Sequence, residues 1–264
     1  MSVILEARRL NKSFGAVTAA ADISVGVERD SVVGLIGSNG AGKTTFINMV
    51  TGYLAPTSGS IHYGDRDITG MAPREITRLG ICRSFQIPQL FDNLSVRENL
   101  QVGVGIAARS ARAAVDTQGE AGGHPRGEAG EIDTLVERFN LGGYRDQPAG
   151  LLPEGVRKLL DIAMAVAGHP NLLLLDEPTS GVSADEKFRL MDMVMGALQA
   201  QGVTVLFVEH DMEVVARYTH RILAFYEGRI IADGEPQAVL RDADVRRHVI
   251  GEDLHPGRAE AARG

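Results

Sequence analysis

The apolar, strand-like stretch Val32-Val-Gly-Leu-Ile-Gly37 runs directly into Gly37-Ser-Asn-Gly-Ala-Gly-Lys-Thr44, a full match to the pattern GxxxxGK[ST]. A helix is expected immediately afterwards, over residues 42–51. This order of strand, glycine-rich loop and helix constrains the fold more than any other feature of the chain. Gly37, Gly40 and Gly42 permit backbone conformations closed to other residues, so successive N–H groups can turn inward towards an anion. Ser38, Asn39 and Ala41 complete the loop, and Lys43 is placed to reach the β and γ phosphates of a nucleotide. The helix start adds its positive dipole end, the Thr44 hydroxyl can ligate Mg²⁺, and Thr45 can donate to a phosphate. A plain glycine-rich turn is the alternative, and the flanking strand and helix count against it.

Around this motif, short apolar runs alternate with helical stretches. Strand-like segments fall at 3–8, 22–28, 31–36, 59–63 and 80–85, then at 171–175, 203–208, 221–225 and 229–232. Helices are expected at 153–167, 184–200 and 211–218. Alternation of this kind argues for a mainly parallel α/β sheet. Residues 87–150 differ: 95–109 is Ala-rich and helical, 131–139 has helical spacing, and 110–130 holds five glycines with Val115 as its only large aliphatic. That composition buries little, so 110–130 reads as a mobile loop within a helical insertion.

Two further strand ends carry chemistry. Leu172-Leu-Leu-Leu-Asp176-Glu177 is a buried-strand pattern ending in two acids, and an acid at the carboxyl end of a parallel strand faces the ligand crevice. Asp176 is expected to hold Mg²⁺ directly or through water, and Glu177 to orient and partly deprotonate an attacking water. An N-cap pair before Pro178 is the plainer reading. His210 ends the apolar strand 203–209, ahead of Asp211 as a helix cap, and is expected beside the γ phosphate.

In the order of these elements the chain resembles the ATPase subunits of ABC transporters over almost its whole length. The resemblance implies a phosphate-loop NTPase core of the ABC ATPase type, α/β in class, with an N-terminal antiparallel β subdomain and a helical insertion. The implied division is 1–86 and 151–234 for the two halves of the ATP-binding core, 87–150 for the insertion and 235–264 for a short helical tail. It also implies that Gln86, in Arg83-Ser-Phe-Gln86, senses Mg²⁺ and water, and that Phe14, in Lys12-Ser-Phe-Gly15, stacks on adenine. A strand-end core residue is the other reading of Phe14. The implied ligands are ATP and Mg²⁺, with Thr44, Gln86 and Asp176 as metal ligands and Lys43, Gln86, Glu177 and His210 as catalytic groups.

The sequence also departs from that family. Where relatives read LSGGQ at a helix start, this chain reads Leu152-Pro-Glu-Gly-Val156: Gly155 keeps the close approach, but Pro153 replaces the serine that meets the opposite subunit's nucleotide. Glu154 adds negative charge there, and Ser183 stands where many relatives place aspartate. These differences affect what the subunit offers across a dimer, whether with a second ATPase or with itself.

Further stretches resemble the ATPases of branched-chain amino-acid importers: Phe46-Ile-Asn-Met-Val-Thr-Gly-Tyr53, Pro56-Thr-Ser-Gly59, Gly80 to Gln86 with Leu90-Phe91 and Val96-Arg-Glu-Asn99, and the tail from Gly234 to Leu240 with 245–251. The implied partners are two membrane permease subunits, a second ATPase subunit and, indirectly, a solute-binding protein. The implied function is energising uptake of a branched-chain amino acid or related polar solute. Ile87 to Asn93 would form part of the groove for a membrane-subunit helix, although ordinary packing accounts for Ile87, Leu90 and Phe91 equally well.

Composition narrows the alternatives. A net charge of −7 over 264 residues supplies no general pull towards nucleic acid, which counts against a DNA-maintenance ATPase. An exporter or lipid-extraction ATPase and a binding module with weak hydrolysis stay open. The longest apolar runs fall far short of a membrane span, the first residues lack the order of a secretion signal, and Cys82 is the only cysteine. The expected location is cytoplasmic, peripheral on the inner face of the cell membrane.

Overall fold

The computed structural model describes residues 2–118 and 128–251. The long strands β1 (Val3–Phe14) and β2 (Val17–Glu28) form an antiparallel hairpin, to which β4 (Ser58–Tyr63) and β5 (Arg66–Asp67) add in the order β2-β1-β4-β5. A second sheet comprises β3 (Val32–Gly37), β6 (Ile81–Ser84), β7 (Leu172–Asp176), β8 (Thr204–Val208), β9 (Arg221–Tyr226) and β10 (Arg229–Gly234). Its order is β10-β9-β3-β8-β7-β6, parallel throughout except for β10. Both the mainly parallel sheet and the antiparallel subdomain match expectation.

Period-two alternation of the buried strands divides the interior into two cores. Val33, Leu35, Leu172, Leu174, Leu206 and Val208 face the hairpin and Phe46 of helix α1 (Lys43–Val50). Ile36, Leu173, Leu175, Val205 and Phe207 face the other helices, which include α5 (Glu154–Val166) and α6 (Ala184–Gln199). The parallel sheet is therefore covered on both sides, as its continuous apolar strands require.

Two expectations need correction. The first hairpin is longer than 3–8 and 22–28, because bulges with Arg9 and Asp22 at positive φ interrupt the alternation by which strands are recognised. The helix expected over 95–109 does not stop there: α3 runs Val96–Gln118 and α4 runs Glu128–Arg138, so a loop spanning 110–130 is too long. Paucity of large aliphatics limits burial, but the alanines and arginine at 111–114 favour helix regardless. Residues 119–127, the remainder of that expected loop, lie outside the described residues.

Helix α3 begins on a reciprocal cap. The Glu98 amide donates to Ser95 Oγ (3.2 Å), and the Ser95 amide donates to Glu98 Oε2 (2.8 Å). One turn in, Asn99 is fully buried; it accepts from the Phe91 amide and donates to the carbonyls of Phe91, Leu94 and Ser95. Asn99 thus fixes the path of residues 91–95. Asn99→Leu should lower the unfolding free energy by about 1–3 kcal/mol, since it orphans the Phe91 amide and takes the side-chain donor from three carbonyls that keep only their backbone partners. Urea unfolding of both chains measures the difference.

Candidate functional site

Parallel pairing places the carboxyl ends of β3, β6, β7 and β8 along one edge of the sheet, and the four motifs leave from those ends. At the end of β3, Gly37 has φ 154° and Gly42 φ 106°. A Cβ on Gly42 would stand 2.7 Å from the Ala19 carbonyl, so the hairpin packs directly on the loop and only glycine fits. The amides of Gly40, Gly42, Lys43, Thr44 and Thr45 donate to no protein acceptor among the described residues. Such a row of unmet donors at a helix start is an anion cradle. Ser38, Asn39, Gly40 and Thr44 are exposed, while Ala41 is buried and Thr45 half-buried.

Lys43 is buried, and its ammonium donates to the carbonyls of Gly37 (2.6 Å) and Ser38 (3.0 Å), inside the loop. Burial lowers its pKa, and the charges of Glu177 and Asp176 oppose that shift.

The acids at the end of β7 take different partners. Asp176 is buried and accepts from Arg83 Nη2 at 2.5 Å through Oδ2, while Oδ1 makes no hydrogen bond among the described residues. Arg83 also donates to Asn48 Oδ1 of α1 at 2.7 Å. Glu177 has φ 51°, unusual for a non-glycine residue and costing on the order of 1 kcal/mol. Its carboxylate accepts from Gln86 Nε2 at 2.8 Å and lies 3.0 Å from His210 Nε2. Gln86, Glu177 and His210 therefore form one hydrogen-bonded chain, while Asp176 stands apart with Arg83.

His210 is fixed through its neighbours. Asp211 caps α7 (Met212–Tyr218) as expected, accepting from the amides of Glu213 and Val214. Buried Glu209 accepts from the amide and hydroxyl of Thr179 and from the His210 amide, tying the turn after β7 to the end of β8.

The remaining candidates lie away from this cluster. Phe14 is 52% exposed at the hairpin tip, under the Lys12 ammonium at 5.1 Å from its centroid, so it is not a strand-end core residue. Pro153 is exposed at the N-cap of α5, its carbonyl accepting from the amides of Val156 and Arg157. Ser183 precedes α6 and donates to Glu186 Oε2. Burial raises the Cys82 thiol to about 11, leaving it an inert apolar side chain.

Arg83, Asn48, Lys158, Asp161 and Glu209 escaped the sequence reading. For Arg83 the signal was present: an arginine inside a buried parallel strand requires a carboxylate partner.

The available metal donors are oxygens: the Thr44 hydroxyl, Asp176 Oδ1 and the Gln86 carbonyl. No group of three or more His, Cys, Asp or Glu side chains suited to a metal occurs among the described residues. Mg²⁺ fits this poverty of carboxylates, since it is ordinarily held by one or two of them together with substrate phosphates.

Comparison with known proteins agrees with this geometry. The sequence model of the family described as ABC transporter matches residues 20–180. A probable branched-chain amino acid transport ATP-binding protein, LivG, of Archaeoglobus fulgidus is 34% identical over 257 residues, covering 94% of this chain and 95% of that protein. The high-affinity branched-chain amino acid transport ATP-binding protein BraF of Pseudomonas aeruginosa is 34% identical over 250 residues, covering 94% and 98%. Among solved structures, an ATP-binding cassette of an ABC transporter in its ADP conformation superposes with a TM-score of 0.79 at 30% identity, covering 96% of this chain and all of that one. With the family match spanning more than half its length and these relatives nearly all of it, the chain belongs to the ABC transporter family.

Proposed function

We propose that the chain is the ATP-hydrolysing subunit of an importer for a branched-chain amino acid or a related small polar solute. The observation that carries the hydrolytic part is the chain Gln86–Glu177–His210, which lies at the sheet edge from which the phosphate loop departs. The solute is taken from the relatives' activity.

In this reading the loop amides and Lys43 bind the phosphates, and Phe14 stacks on adenine. Thr44, Gln86 and Asp176 would hold Mg²⁺, which when bound would supply positive charge beside the phosphates. Glu177 accepts a hydrogen bond from the attacking water and draws its proton, while His210 and Gln86 hold the carboxylate in place. The chain's own residues contribute mainly position and charge.

Pairing with a second ATPase subunit, or a second copy, brings the N-terminus of α5 to the opposite nucleotide. Gly155 supports this: a Cβ there would meet its own chain only at 3.9 Å or beyond, so internal packing does not demand glycine. Pro153 removes the hydroxyl from that approach, which makes the composite site weaker than one formed by serine.

A groove of about 620 Å³ lies between α2 (Pro73–Arg78) with β6 on one side and α3 with α5 on the other. Ile76, Leu79, Ile106 and Met164 give it an apolar lining, and Arg74, Arg78 and Arg109 surround its outer mouth. Its shape and lining suit a helix of a membrane subunit. Ile87 and Phe91 are exposed beside it, at 75% and 50%, whereas Leu90 packs against the core. No helix among the described residues is long and apolar enough to cross a membrane, so on this reading the permease subunits supply the spans.

Glu177→Gln should keep nucleotide affinity by calorimetry, lower steady-state hydrolysis about 10²- to 10⁴-fold, and abolish uptake of labelled leucine by the assembled transporter. Unchanged hydrolysis overturns the role of Glu177. Pro153→Ser should raise turnover of the self-paired chain by about 10- to 100-fold, the worth of one hydrogen bond to a charged group. Arg78→Glu should weaken co-purification with the permease subunits while leaving nucleotide binding intact.

A further inference from the structure

Helix α5 makes no hydrogen bond to the Gln86 carboxamide or the Glu177 carboxylate, yet it grips the backbone at Glu177 and on both sides of Gln86. Lys158 is buried, and its ammonium donates to the main-chain carbonyl of Glu177 at 2.9 Å. That carbonyl also accepts from the Ser180 amide at 3.1 Å, while the Glu177 amide donates to the Val208 carbonyl at 3.0 Å. These three bonds fix the peptide units flanking a residue held at φ 51°, a conformation that its neighbours must impose.

One turn further along the helix, Asp161 is also buried. Its Oδ1 accepts from the Gln89 amide at 2.9 Å and its Oδ2 from the Phe85 amide at 3.3 Å. These amides bracket Gln86. Arg157 extends the grip, pairing with Asp92 at 2.8 Å and donating to the Ala149 carbonyl at 2.6 Å. Three charged side chains of one helix thus pin the segment 85–92 and the end of β7.

We propose that Lys158 and Asp161 are positioning residues for the hydrolytic pair: Lys158 sets the direction of the Glu177 side chain, and Asp161 sets that of Gln86. Neither reaches the water or the phosphates; each acts on the backbone that carries a group which does. Two ionisable groups in an otherwise apolar helix face are retained at an energetic cost, visible as a lowered Lys158 pKa and a raised Asp161 pKa, both from burial. For Lys158 the carboxylates of Glu154, Glu209, Glu177 and Asp161 counter that cost; for Asp161 the amides of Gln89 and Phe85, the Ser84 hydroxyl and Lys158 do so. Each charge also favours the other through space, without a direct ion pair between them.

This assignment rests on the ATPase reading, and the test separates the two. In the full-length chain with Mg²⁺ and ATP, Lys158→Met should lower kcat about 10- to 100-fold, the scale of a catalytic group displaced by an ångström, while nucleotide Kd stays unchanged. Lys158→Arg, which can still donate to the carbonyl, should recover most of that loss. Asp161→Asn keeps the shape and one acceptor and should show the same split of kcat from Kd in weaker form; it carries the test if the methionine variant fails to fold. Full kcat in Lys158→Met, or an equal loss in Lys158→Met and Lys158→Arg, overturns the proposal while the ATPase reading stands. Absence of hydrolysis by the unaltered chain overturns both.

Discussion

Parallel pairing of β3 with β8, and of β8 with β7, is the constraint on which the site depends. Strands that run the same way end on the same side, so the loop after Gly37, the acids at 176 and 177 and the histidine at 210 reach one edge although up to 173 residues separate them in sequence. The pairing itself is enforced by burial on both faces. Residues such as Leu173 and Leu174 enter opposite cores, and a slip by one residue would exchange them. Site geometry and core packing are therefore the same fact seen from two directions, and a substitution deep in β7 reaches Asp176 through the strand that carries it.

Much of this was legible in the amino-acid order because the carrying signals are local. The loop at 37–44 announces itself by spacing alone, and the strands at 172 and 204 by uninterrupted aliphatic runs. The bulged hairpin was harder, since Arg9 and Asp22 break the alternation. The reach of α3 to Gln118 departs from the expected loop because low hydrophobicity constrains burial and leaves helix formation open. The buried polar partners were harder still. Asp161 and Lys158 sit on an amphipathic helix where either could have faced solvent, and only the packed structure brings their atoms to the backbone of Phe85, Gln89 and Glu177.

The departures at the start of α5 gain a context from this arrangement. Pro153 and Glu154 alter the exposed tip of the helix, but four residues on, the same helix is committed to the chain's own site through Lys158 and Asp161. The altered tip and the retained grip belong to different surfaces, so loss of a hydroxyl at one does not entail disorder at the other.

The lysine of the loop carries a last consequence. Lys43 does not wave in solvent awaiting a ligand; its stem is enclosed and its ammonium already rests on the carbonyls of Gly37 and Ser38. The entropy of ordering so long a side chain, about 1.5–2 kcal/mol, is spent when the protein folds. On the proposed reading, an arriving polyphosphate meets a cation already tethered at the spot, and has only to exchange two carbonyl oxygens for charged ones.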